Sequence, residues 1–173
     1  MYKQSVPFAP EPISEDAFLD TLFDIYLCFK DLPEFDWNIY TLLNSYKIAN
    51  KYLKCKDVTN IPFINDCSKE HDIYSEKTEQ IYSKHLAYVC IILSSKLYDD
   101  VSNPYWVTEA DIYDEAIRTD YLYKMETDIF FSLGTVNFLT QEDVQCIQTF
   151  SNFIPFSSRN IPVYKYFFYS IAK

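Results

Sequence analysis

Residues 83–139 read SKHLAYVCIILSSKLYDDVSNPYWVTEADIYDEAIRTDYLYKMETDIFFSLGTVNFL. The run LAYVCIILSSK within it is apolar on almost every face, with small Ala87, Cys90, Ser94 and Ser95 interspersed. A helix that is apolar all round is enclosed by other elements, so a helix over 79–98 belongs at the centre of a bundle. Its small residues let neighbouring helices approach closely. Asp99, Asp100, Ser102, Asn103 and Pro104 then form a turn. A short helix is expected over 108–116, with Thr108 as cap and Asp111 three positions on, a relative of the capping box. The next helix, over 117–133, places Leu122, Met125, Ile129, Phe130 and Leu133 on one face. Gly134, the single glycine of the chain, stands where a helix C-terminal cap belongs.

The flanks repeat the helical period. Residues 1–13 hold three of the eight prolines and read as an extended arm. Ser14, Glu15 and Asp16 give a hydroxyl cap and first-turn acids. From there Phe18, Leu19, Leu22, Phe23, Ile25, Tyr26 and Phe29 form a wide apolar face ending near Pro33. Asp36 is placed to cap a second helix whose stripe is Ile39, Leu42, Leu43, Tyr46, Ala49 and Leu53. Lys47, Asn50, Lys51 and Lys54 occupy its other positions. Residues 55–77 break the period and read as a loop insertion; loops of this length are uncommon and often functional. Thr140 with Asp143 begins another helix, with Val144, Ile147 and Phe150 inward. A last helix over 162–172 turns Tyr164, Phe167, Phe168 and Ile171 to the core. The organisation expected is an arm (1–13), a helical domain (14–139) and C-terminal flanking helices (140–173).

Bulk composition agrees with an all-α chain. With 173 residues there is room for one domain of sizeable core. Sixteen Tyr and 14 Phe stand against one Gly, and hairpin turns and phosphate-cradling loops both need positive-φ positions that glycine supplies. The formal charge of −10 repels phosphate backbones and anionic lipid, so nucleic-acid and membrane-surface partners are disfavoured and a basic partner surface is favoured. The five cysteines (Cys28, Cys55, Cys67, Cys90, Cys146) show no metal-ligand spacing and read as free thiols of a reducing compartment. With no apolar leader and no apolar run of membrane-spanning length, the expected location is cytoplasmic or nuclear. His71, beside Cys67, Glu70 and Asp72, reads as part of a solvated loop rather than a metal site. His85 reads as a hydrogen bonder inside its helix. No GxSxG, P-loop or HExxH pattern is present, so no catalysis, cofactor or small-molecule substrate is expected.

The stretch from Lys84 to Leu139 resembles the third to fifth helices of a cyclin box. An apolar helix ends in Ser94-Ser95-Lys96-Leu97, and about thirty residues on a second apolar helix carries Lys124-Met125-Glu126. Upstream, Asn50-Lys51-Tyr52-Leu53 is in register with the family's second-helix segment. The Asp-Asp followed by Asn103 and Tyr105 is most similar to the single-box P/U-type cyclins. The first helix has no arginine, unlike the substrate-docking patch of many cell-cycle cyclins, and the Gly-Gly frequent before the glutamate helix is absent.

The resemblance implies a cyclin-box bundle, five core helices plus flanking helices, that binds and activates a cyclin-dependent-class protein kinase. It implies that Lys96 and Glu126 grip main-chain groups beside the kinase's regulatory helix, a use suited to an ammonium donor and a carboxylate acceptor. Leu97, Tyr98, Tyr105, Trp106 and Phe130 are then either interface anchors around that pair or core residues. The other readings of the same residues are an ordinary ion pair, a cyclin-fold adaptor that activates no kinase, and an unrelated helical interaction protein.

Overall fold

A computed structural model of the protein describes residues 15–29, 38–55, 76–98, 119–134 and 137–172. All regular structure among them is helical: α1 (Glu15–Phe29), α2 (Ile39–Cys55), α3 (Glu76–Tyr98), α4 (Thr119–Leu133), α5 (Gln141–Phe153) and α6 (Ile161–Ala172), with a 3-10 turn at Ser158–Asn160. The expected arm at 1–13 and the short helix over 108–116 lie outside the described residues, as does the 55–77 insertion except for Cys55, Glu76 and Lys77, which are helical.

Two helices form the centre. In α3 every side chain from His85 to Ser95 is buried, as its all-round apolarity predicts; the helix starts at Glu76, three residues earlier than expected. Its most extensive partner is α2, and α1 and α4 pack on its other sides. The predicted stripe of α2 is buried through Ile39, Leu42, Leu43, Tyr46 and Ala49, but so are Thr41, Asn44, Ser45, Ile48 and Tyr52. Asn38 caps α2: its Oδ1 accepts the Thr41 amide at 3.0 Å and its carbonyl accepts the Leu42 amide at 3.3 Å. Burying Asn44 and Ser45 is tolerable because both reach α3. The Ser94 hydroxyl accepts from Asn44 Nδ2 at 3.2 Å and lies 3.1 Å from the Ser45 hydroxyl, which donates to the Thr41 carbonyl at 2.7 Å. Small Ser94 thus allows the close approach and also supplies a polar partner, so neither group carries the cost of an unmade hydrogen bond.

In α4, Leu122, Met125 and Ile129 face the core, while Phe130 is 51% exposed. That corrects its placement on the apolar face: a helix turns about 100° per residue, so Ile129 and Leu133 fill the core arc and Phe130 stands past its edge. Tyr52 of α2 donates its phenol hydrogen to Asp128 of α4, giving a buried ring a polar outlet. Gly134 ends α4 with φ +72°, and its amide donates to the Phe130 carbonyl at 2.9 Å. An added Cβ there meets nothing within 4 Å. Gly134→Ala is therefore expected to lose only the left-handed preference, about 1–2 kcal/mol, readable as a lowered urea midpoint with unchanged helicity.

The C-terminal helices share the same core. Ile147 of α5 and Tyr164 and Phe168 of α6 are buried with the residues of α1 to α4. A chain of aromatic rings runs from α1 to α6. Phe18 stacks on Tyr46 at 6.3 Å, Tyr46 stacks on Phe168 at 6.3 Å, and Phe168 tilts onto Phe23 at 5.3 Å. Phe156, in the connection between α5 and α6, touches Phe23, Tyr26 and Tyr164. Lys165 of α6 pairs with Asp20 of α1 at the rim.

Candidate protein-docking site

The two charged residues singled out by the sequence meet. Lys96 lies in the last turn of α3, where a cation complements the helix dipole, and its Nζ donates to Glu126 Oε1 of α4. The side chains are 33% and 16% exposed, so the pair sits at a boundary: the ammonium reaches solvent and the carboxylate is largely enclosed. Each retains bonding capacity, since an ammonium offers three donors and a carboxylate has about four acceptor sites.

The surface around the pair is aromatic. On α4, Tyr123 precedes Glu126 by three positions and Phe130 follows it by four, so the three share one helix face. Tyr123 is 42% and Phe130 51% exposed. Phe131 beside them is 80% exposed, its ring edge-on to Phe130 at 6.0 Å. Sequence reasoning missed Tyr123 and Phe131, because helical spacing does not distinguish an exposed ring from a core ring. Leu97 and Tyr98 close α3, but their side chains, and Tyr105 and Trp106 as a whole, lie outside what is described. One residue from Lys96, Ser95 Oγ is buried and has no hydrogen-bond partner among the described residues.

A second polar cluster locks the C-terminal helices to α2. Asn44 Oδ1 accepts the Phe138 amide at 3.0 Å, and Lys47 Nζ donates to the Phe138 carbonyl at 3.2 Å. Lys47 also pairs with Asp143. The helix start expected at Thr140 with Asp143 is a capping box: the Thr140 hydroxyl accepts the Asp143 amide at 3.1 Å, and Asp143 Oδ2 accepts the Thr140 amide at 2.9 Å. Burial pushes the Asp143 carboxyl up, but the hydrogen bond and charge of Lys47 and the bonds from Thr140 outweigh it and hold the group below the usual carboxylate range. These groups are each engaged with another part of the fold, which makes the cluster structural.

Of the cysteines, Cys28, Cys55 and Cys146 are exposed and Cys90 is buried, all as free thiols. Burial pushes the Cys90 thiol up, so it stays protonated and unreactive. Among the described residues no group of His, Cys, Asp and Glu is arranged to hold a metal ion, and no helix is long and apolar enough to cross a membrane. No protein-family model, no curated protein and no solved structure matches this chain.

Proposed function

We propose that the chain is a cyclin-like regulatory subunit that docks on a protein kinase of the cyclin-dependent class through the C-terminal end of α3 and the middle of α4. The single observation that carries this reading is the meeting of Lys96 and Glu126, thirty residues apart in sequence, on a face where Tyr123 and Phe130 flank the carboxylate. Its other support is the resemblance of residues 84–139 to a cyclin box. In this arrangement the ammonium donates to kinase carbonyls and the carboxylate accepts kinase amides, while the rings exclude water and strengthen those bonds. Docking holds the kinase's regulatory helix inward, where its glutamate pairs with the lysine that orients the ATP phosphates. The chain itself supplies binding energy and no chemistry.

Glu126→Lys places two ammonium groups together and is expected to reduce kinase recovery in a pulldown at least tenfold, as removal of charge-assisted bonds worth about 1.5–3 kcal/mol each implies. Circular dichroism should show unchanged helical content. Undiminished kinase recovery with the variant would remove the pair from the site. Recovery of other proteins but of no kinase by the unaltered chain would replace this reading with the adaptor one.

A further inference from the structure

One side-chain amide joins two parts of the molecule that are distant in sequence. Asn44 of α2 is fully buried. Its Oδ1 accepts the Phe138 amide at 3.0 Å, and its Nδ2 donates to Ser94 Oγ of α3 at 3.2 Å. The orientation is fixed: a backbone N–H can only donate, so the atom facing Phe138 is the oxygen and the nitrogen is left for Ser94. Phe138 lies two residues before the Thr140 cap of α5, and its carbonyl is held by Lys47, which also pairs with Asp143. Ser94 lies two residues before Lys96, near the end of α3.

The end of α3 has few polar anchors. Ser95 Oγ is buried without a hydrogen-bond partner among the described residues. Within 94–96 the polar ties to other helices therefore run through Ser94, to Asn44 and Ser45 of α2, and through Lys96, to Glu126 of α4. Helix ends open locally at lower cost than helix interiors. The last turn of α3 is thus an element with two states, closed on its neighbours or frayed.

We infer that Asn44 couples the seating of the C-terminal helices to the closing of the Lys96 end of α3, so that loosening either loosens the other. The amide is planar, so Oδ1 cannot follow Phe138 without moving Nδ2. Its two hydrogen bonds polarise one another, and in a fully buried position neither end can turn to water when its partner leaves. Release of 137–140 frees the amide to rotate, and Ser94 loses a donor held in place. Such coupling is reciprocal. Lys96 and Glu126 are also the proposed kinase-docking pair. On that reading, which the coupling itself does not require, seated α5 and α6 tighten the docking site, and docking tightens the seat of α5 and α6.

Amide hydrogen exchange of the free chain, resolved by NMR, tests the coupling in both directions without a kinase. Ser94→Ala removes a partner of Asn44 on α3 and alters no residue of 137–143. The Phe138 amide should then exchange about two- to tenfold faster, the net worth of one neutral hydrogen bond. Lys47→Met alters a residue bonded to Phe138 and Asp143, and the amides of 95–98 should quicken by a similar factor. The last turns of α1 (26–29) and α2 (52–55) report local opening away from Asn44 and should keep their rates. Should one variant lose helicity, the other alone decides. An unchanged Phe138 amide in Ser94→Ala, or unchanged 95–98 amides in Lys47→Met, overturns the coupling. So does equal acceleration at every helix end, which marks a general loosening of the fold. Coupled exchange in a chain that recovers no kinase keeps the coupling and removes the docking reading.

Discussion

Replacing Phe168 by Ala is expected to destabilise the fold by about 3–5 kcal/mol, the range for emptying a fully buried aromatic site. The ring has no exposure and touches Tyr46 of α2 and Phe23 of α1, so its loss removes contacts to two helices at once. The surroundings close such a gap poorly, since the neighbouring rings are rigid and already packed on other partners. Against a typical total of about 5–15 kcal/mol, the variant should show a much lower urea midpoint. Tyr166→Ala, on the same helix but at a 75% exposed position, should shift stability by no more than about 0.5 kcal/mol. Equal effects of the two substitutions would refute the inward placement of Phe168.

Lys47→Met is expected to cost about 2–3 kcal/mol at neutral pH, less than the about 3–5 kcal/mol for a fully enclosed pair because the two side chains keep 17% and 11% exposure. The substitution strips Asp143 of its counter-charge and the Phe138 carbonyl of a donor. The pH dependence has a definite sign. The Asp143 carboxyl is held below its ordinary value in the folded chain, so its contribution is present above the unfolded value of about 3.9 and is lost as pH falls through the lower folded value. The stability gap between the parent and Lys47→Met should therefore be widest near pH 7 and narrow below about pH 4. Urea midpoints at several pH values measure it, and a gap that stays constant into strong acid would exclude the Lys47–Asp143 pair as its source.

Much of the fold is legible where one residue type does one job. The uninterrupted apolarity of 86–93 fixes α3 as central, Gly134 marks the end of α4, and Thr140 with Asp143 marks the start of α5. Each signal is local, carried by neighbours a turn apart. What escapes local reading depends on partners far along the chain. Asn44 and Ser45 look outward by polarity, yet they are buried because Ser94, about fifty residues on, satisfies them. Lys47 looks like a solvated helix position, yet Asp143 and the Phe138 carbonyl hold it in place. Phe130 was misplaced for a different reason: an apolar residue beside an apolar stripe is assigned inward by pattern, while the width of the available groove decides. At the candidate site, Lys96 and Glu126 stand out through the resemblance of residues 84–139 to a cyclin box. The aromatic rim of Tyr123 and Phe131 does not, because an exposed ring and a core ring look alike in sequence.

The grip on Phe138 separates where information is stored from where it acts. Asn44 and Lys47, three positions apart on α2, hold the amide and the carbonyl of one residue in an irregular segment. Both contacts are to main chain, so they specify a position in space and are indifferent to the side chain that occupies it. The starting point of α5 is thus written twice, locally in Thr140 and Asp143 and remotely in α2. A change at Asn44 or Lys47, more than ninety residues away, therefore removes one of the two determinants of that starting point and leaves the local one in Thr140 and Asp143.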